Sequence, residues 1–339
     1  MSAPSPQTPA DADPDCPTPG APPSDAPPVP ASATGPATAT KAAVRPGGLG
    51  AAVWAALGIV YVVWGSTYLA IRVVVETMPP LLSGALRFGA AALLLGAGLA
   101  VRQGWRALRV TWPQFGSAFL VGALLLVGGN GLVVLAERTV PSGLAALMVA
   151  SVPLWVVLLR RVFGVRTCGA TLAGVLLGLV GLGVLTAPGL TGAVGLSGLL
   201  LVVVAAVVWA LGSVLAGRLP MPADPFVASV YEMLAGALGA LALSFVRGEP
   251  GRFDPGAVSA GSWAGLVYLV LFGSIVAFTS YAWLLQRAPL TLVATYAYVN
   301  PVVAVFLGWL FLSEALTWPI MLGGAIVVGG VFLVARNER

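Results

Sequence analysis

Between residues 52 and 335 the chain runs through ten apolar segments, roughly 52 to 72, 81 to 101, 114 to 136, 141 to 160, 168 to 187, 195 to 217, 225 to 246, 262 to 285, 289 to 312 and 317 to 335, joined by short connections. Each is long enough to cross a bilayer as a helix. Hydrocarbon offers the backbone no hydrogen-bond partner, so segments of this length must be α-helical. The pattern predicts an all-α integral membrane protein with ten transmembrane helices. Composition agrees: 58% of the 339 residues are hydrophobic and 9% charged, far from soluble globular usage.

Residues 1–50 differ sharply. They hold thirteen of the 27 prolines among Ala, Ser, Thr, Asp and Gly, a composition that cannot build a core and predicts a disordered cytoplasmic tail. It has no basic start followed by an apolar core, so it does not read as a signal peptide. The net charge of +5 arises from residues scattered over short loops, which argues for membrane orientation and against nucleic acid. With the tail inside, twelve of the seventeen basic residues fall on the cytoplasmic side. Arg72, Arg138, Arg247 and Arg252 fall outside, and Arg87 falls within a span. Both termini are therefore expected in the cytoplasm.

The chain repeats itself. Pro141 and Pro153 stand twelve apart, as Pro289 and Pro301 do, and the same offset of 148 superposes Ala146 on Ala294 and Phe163 on Phe311. Five crossings per half is an odd number, so the second half enters from the opposite side. Two inverted five-helix repeats result, over residues 51–190 and 195–336, an arrangement that exposes a central site to either side in turn.

Within Pro289 to Glu314, Pro301 removes an amide donor and should free the carbonyl of Ala297. Such a break is tolerated where it is buried in protein or lines a watery cavity, so Tyr296, Tyr298, Asn300 and Pro301 are candidates for a substrate path or for a packed kink. Pro153 marks the corresponding kink in the first half. Tyr61, Trp64 and Tyr68 fall on one face of the first helix, as a cavity wall or a packing seam. Asn130, among glycines that would allow close backbone approach or local unwinding, is a second buried amide, for the path or for an interhelical hydrogen bond. Gly212 and Ser213 echo Gly65 and Ser66, and Gly174 with Gly178 form a small-xxx-small pair. Two ionisable residues lie deep, Arg87 and Glu232, in corresponding helices of the two halves. Arg87 could satisfy a freed carbonyl or bind a substrate carboxylate; Glu232 is the candidate for proton coupling or a neutral structural carboxyl.

Histidine is absent, the two cysteines (Cys16, Cys168) form no framework, and no phosphate-binding loop or zinc motif occurs. No cofactor, metal site or catalytic cluster is expected, which leaves facilitated diffusion or secondary transport.

The words WGSTYLAIR at 64 to 72, PP at 79 to 80, LRF at 86 to 88, GNG at 129 to 131, VPSGLAA at 140 to 146 and ATYAYVNPVVAVFLGWLFLSE at 294 to 314 resemble the drug/metabolite transporter superfamily. The likeness is to its ten-helix EamA-type members and most closely their YedA-like inner-membrane branch. The resemblance covers residues 52 to 335 and implies a central cavity formed mainly by the first, third, fourth, sixth, eighth and ninth helices. One departure is FGVRT, where Arg166 stands in place of a glutamate frequent in the family. Another is the first helix, which lacks the carboxylate through which small multidrug members couple to protons. The combined expectation is a bacterial inner-membrane exporter of small metabolites, amino-acid-like solutes or drugs, working by alternating access. Trp64, Tyr68, Asn130, Tyr296 and Asn300 are expected to line its site. The partners are a small-molecule substrate and the lipid bilayer, with protons and a second copy of the chain left open. A flippase for lipid-linked groups and a non-transporting receptor or assembly protein are the alternatives.

Overall fold

The computed structural model describes residues 50–164, 169–190, 194–288, 293 and 296–337. The tail, Cys16, Arg166, Cys168 and Pro289 lie outside these, as does the side chain of Tyr298. Ten long helices occur among the described residues. They are α1 (Ala51–Thr77), α2 (Pro80–Gln103), α3 (Trp112–Ala136), α4 (Ser142–Val162), α5 (Gly169–Leu190), α6 (Leu196–Ala216), α7 (Pro225–Val246), α8 (Ala260–Leu285), α9 (Tyr296–Leu312) and α10 (Trp318–Asn337). In α5, α9 and α10 the described apolar stretches are shorter, Gly169–Gly181, Val299–Leu312 and Trp318–Gly330. The helices begin where the chain supplies start signals. Proline occupies the first turn of α2, α3 and α7, where its missing N–H costs nothing. Thr111 and Gln114 close a reciprocal capping box on α3, and the Asp224 carboxylate caps α7.

Packing follows the inverted repeat. Helix α1 lies against α8 and α9, and its counterpart α6 lies against α3 and α4. The α3–α7 contact is matched by α8–α2, while α2–α7, α4–α9 and α5–α10 are their own mirror pairs. Lipid chains are as apolar as leucine, so these contacts depend on close fit. Glycine supplies the fit at the tightest crossings. A Cβ on Gly330 of α10 would sit 2.5 Å from the Gly178 amide nitrogen and 2.7 Å from the Gly174 carbonyl oxygen of α5. A Cβ on Gly122 of α3 would lie 2.4 Å from the Cα of Glu232 on α7. Gly65 of α1 likewise admits Val303 of α9, whereas Gly212, its echo in sequence, faces Leu124 and Leu125 of α3.

The end of the bundle where α2 and α4 begin is tied by carboxylates. Glu314, just past α9, accepts hydrogen bonds from the Ser142 and Gly143 amides (2.8 and 3.1 Å) and from the Ser142 hydroxyl, which are free donors of the first turn of α4. Glu249, past α7, accepts one from the Leu82 amide of α2 at 2.8 Å. At the same end the Arg72 guanidinium donates to the backbone carbonyl of Glu137.

The two prolines act differently. Helix α4 is interrupted at Ala150 and Ser151, just before Pro153. The Ser151 hydroxyl donates to the Met148 carbonyl at 2.6 Å and accepts the Trp155 indole N–H at 3.1 Å. Pro301 sits inside a helix that continues through it.

Candidate functional site

Three helices widen into π-helical turns at middle depth: Val60–Trp64 in α1, Ala123–Gly131 in α3 and Leu269–Phe278 in α8. A π turn shifts the hydrogen-bond register and re-aims the side chains that follow. The glycines around Asn130 thus sit in a widened helix at a close crossing: a Cβ on Gly128 would lie 2.5 Å from Val208 of α6, and one on Gly129 2.7 Å from Trp209. Helices α3 and α8 are repeat mates, so the two halves bring matching irregularities to the centre.

A cavity opens at these turns. Trp64, Tyr68 and Asn130 from the first half and Trp209, Ser274 and Tyr296 from the second contribute to its wall. Asn300 contributes from α9, and α2 adds Arg87 and Phe88 to the helices the resemblance implies. The centre of a water molecule could lie anywhere within about 70 Å³ of it. That is well short of a drug-sized pocket and suits a small solute.

Three rings of the wall, Trp64, Trp209 and Tyr296, form a box with a fourth, Tyr281, which is not among the lining residues. Trp64 packs on Tyr281 at 4.8 Å between centroids, and meets Tyr296 and Trp209 edge-on at 5.3 and 5.8 Å. Tyr281 and Tyr296 meet edge-on at 5.9 Å, close to the geometry that ring quadrupoles favour. The Trp64 indole N–H donates to the Gly273 carbonyl at 3.3 Å, joining the π turns of α1 and α8. Of the face expected from Tyr61, Trp64 and Tyr68, Trp64 meets the rings of the other half, and Trp64 and Tyr68 line the cavity while Tyr61 is not among its lining residues. Sequence reading missed Trp209 and Tyr281. A signal for Trp209 exists, since VVW precedes Gly-Ser in both halves, directly in VVWGS and two residues later in VVWALGS.

The polar residues divide into two kinds. Asn300 is 5% exposed, and with its amide nitrogen turned inward it donates to the carbonyls of Tyr61 (3.0 Å) and Tyr296 (3.2 Å). It ties α1 to α9 next to Pro301 through carbonyls other than that of Ala297, which Pro301 should free. Asn130 leaves its Oδ1 without a partner. The Arg87 guanidinium, 6% exposed, donates from Nε to the Ser274 hydroxyl at 2.8 Å and stacks 4.9 Å from the Phe88 centroid. Its Nη1 has no partner.

Glu232 is buried in α7 against Gly122 of α3, outside the cavity wall, and Arg87 hydrogen-bonds to Ser274 instead of to it. The buried carboxylate beside Arg87 in electrostatic terms is Glu137, just past α3, which sequence reading did not single out. Glu137 is fully buried and neither of its oxygens has a hydrogen-bond partner. Burial pushes its carboxyl well above the ordinary value; the charge of Glu314 adds to this, while Arg72 and Arg87 oppose it. Among the described residues no cluster of metal-ligating side chains occurs.

Comparison with known proteins places this geometry. The chain is 39% identical over 288 residues to the uncharacterized inner membrane transporter YedA of Escherichia coli K12, a match covering 84% of this chain and 91% of that one. It is 26% identical to the uncharacterized transporter YoaV of Bacillus subtilis, over 82% of this chain and 95% of that one. A chloroplastic WAT1-related protein of Arabidopsis thaliana is 28% identical over 84% of this chain and 70% of its own length. One crystal structure superposes with a TM-score of 0.60 at 24% identity, covering 85% of this chain and 98% of that one, a likeness of fold. The model of the EamA-like transporter family matches twice, at residues 51–187 and 196–336. A cavity set between two repeats, each matching that model, is accounted for by common descent: the chain belongs to the EamA-like transporter family.

Proposed function

We propose that the protein exports small organic solutes across a bacterial inner membrane as a secondary transporter or facilitator, the two five-helix halves rocking about the central cavity with both termini in the cytoplasm. The observation that carries this reading is the composition of the wall. Both halves contribute to it, and it gathers the rings, the Asn130 amide and three π turns at one depth, where broken backbone and polar groups are costly unless they serve a path. In this scheme Trp64, Tyr68 and Tyr296 hold the apolar part of a solute and Asn130 a polar part. Asn300 shapes the wall through the carbonyls of Tyr61 and Tyr296.

The test is the extracellular metabolite profile of cells expressing the chain against cells expressing equal amounts of the Tyr68→Ala, Asn130→Ala double variant. A small set of solutes should accumulate outside with the unmodified chain and fall at least severalfold with the variant. Coinciding profiles across hosts of different metabolism, with both proteins folded in the membrane, would remove export as the function.

A further inference from the structure

The cavity holds a positive charge that nothing in the protein fully answers. Arg87 is buried, and its five N–H donors are unevenly used. Nε reaches the Ser274 hydroxyl, Nη2 lies over Gly273 so closely that a Cβ there would meet it at 3.0 Å, and Nη1 makes no hydrogen bond. Glu137 is close enough to be felt, but its oxygens and Nη1 are each without a partner, so the two do not form an ion pair. A buried guanidinium left in this way is costly unless a further anion completes it. The cation faces the cavity, beside an aromatic wall and the unpartnered Asn130 Oδ1.

We propose that Arg87 is the anion-recognition residue of the cavity, and that the solutes carried bear a carboxylate joined to a small apolar or aromatic body. This deepens the transport reading above and rests on it. A carboxylate matches the guanidinium fork in charge and in planar geometry, and charge-assisted bonds of this kind are the strong ones. A single arginine suits a single negative charge, whereas a phosphate dianion would leave one charge unanswered in a wall whose lining residues include no second cation. The Ser274 hydroxyl fixes the guanidinium by occupying Nε, which leaves Nη1, closed off from water in this state, as the donor a solute would take up as the cavity opens. Gly273 makes room for Nη2, and its carbonyl holds Trp64 beside it.

The experiment uses the purified full chain in detergent, with binding followed by tryptophan fluorescence and by thermal shift. The probes are matched pairs of a carboxylate and its primary amide, 3-phenylpropionate with 3-phenylpropanamide and L-leucine with L-leucinamide, and inorganic phosphate. At least one carboxylate should bind ten or more times more tightly than its amide, and phosphate should not displace it. Arg87→Gln should erase that preference, with the folding of the variant checked by circular dichroism and by its elution as a single species in detergent. Arg87→Lys should keep part of the preference, and Ser274→Ala should weaken carboxylate binding severalfold with the charge still in place. Equal binding of the paired probes, a preference that survives Arg87→Gln, or no carboxylate bound at all would overturn the assignment. An export profile made up of solutes without a carboxylate would overturn it too, with the transport reading intact; an empty profile would take both down.

Discussion

Glu137 follows the last residue of an apolar helix, where a sequence reader expects a solvated loop, yet it is completely buried, within electrostatic reach of Arg72 of α1, Arg87 of α2 and Glu314 past α9. Because burial raises its pKa above that in the unfolded chain, the carboxyl contributes stability that is fully present below the ordinary carboxylate range and is lost as pH rises towards the raised value. The midpoint of thermal unfolding should therefore fall between pH 5 and pH 8. Glu137→Gln should flatten that fall and exceed the unmodified chain at pH 8, by roughly 2–4 °C for each kcal/mol recovered. Parallel pH curves for the two proteins would remove Glu137 as the cause. Asn300 teaches the complementary lesson. Its side chain was legible as important because it precedes Pro301, but which carbonyls it serves depends on the π turn of α1, and no local pattern announces that turn.

Helices were the most legible level, because each is a long apolar run bounded by proline, by capping residues or by charge, and the observed ends follow those signals. Which helices touch was legible only through the repeat. The close crossings are glycine positions, and the 43 glycines of the chain look alike until the partner is known. Gly122 and Gly98 give a direct comparison. A Cβ on Gly122 would collide with the backbone of α7, while nothing lies within 4 Å of the Cβ position on Gly98 of α2. Gly122→Ala should destabilise the protein by about 1–3 kcal/mol through overpacking. Gly98→Ala should be neutral or stabilising by up to about 1 kcal/mol, the helix propensity of alanine over glycine. Thermal unfolding of both variants in detergent decides, and equal effects would mean that the α3–α7 crossing does not limit stability.

Across the whole molecule the helix pairings mirror one another, but the ties between the halves do not. Carboxylates past α9 and α7 cap α4 and α2 at one end, whereas the places 148 residues earlier hold Arg166 and Val101. Opening that end means parting Glu314 from the first turn of α4. Charge-assisted hydrogen bonds contribute about 1.5–3 kcal/mol each, so Glu314→Gln should raise the opening frequency there about 10–100-fold. Hydrogen exchange of the Ser142 to Ala146 amides, read by mass spectrometry, is the measure; unchanged exchange would show that the contact does not hold this end shut. Clasps on a single face tilt the resting population toward sites open on the other. Detailed balance forbids such a tilt from driving net flux between equal concentrations. It does set apart the half-saturating concentrations on the two sides, so that an uncoupled carrier can be sensitive to solute on one side and slow to refill from the other without spending any energy.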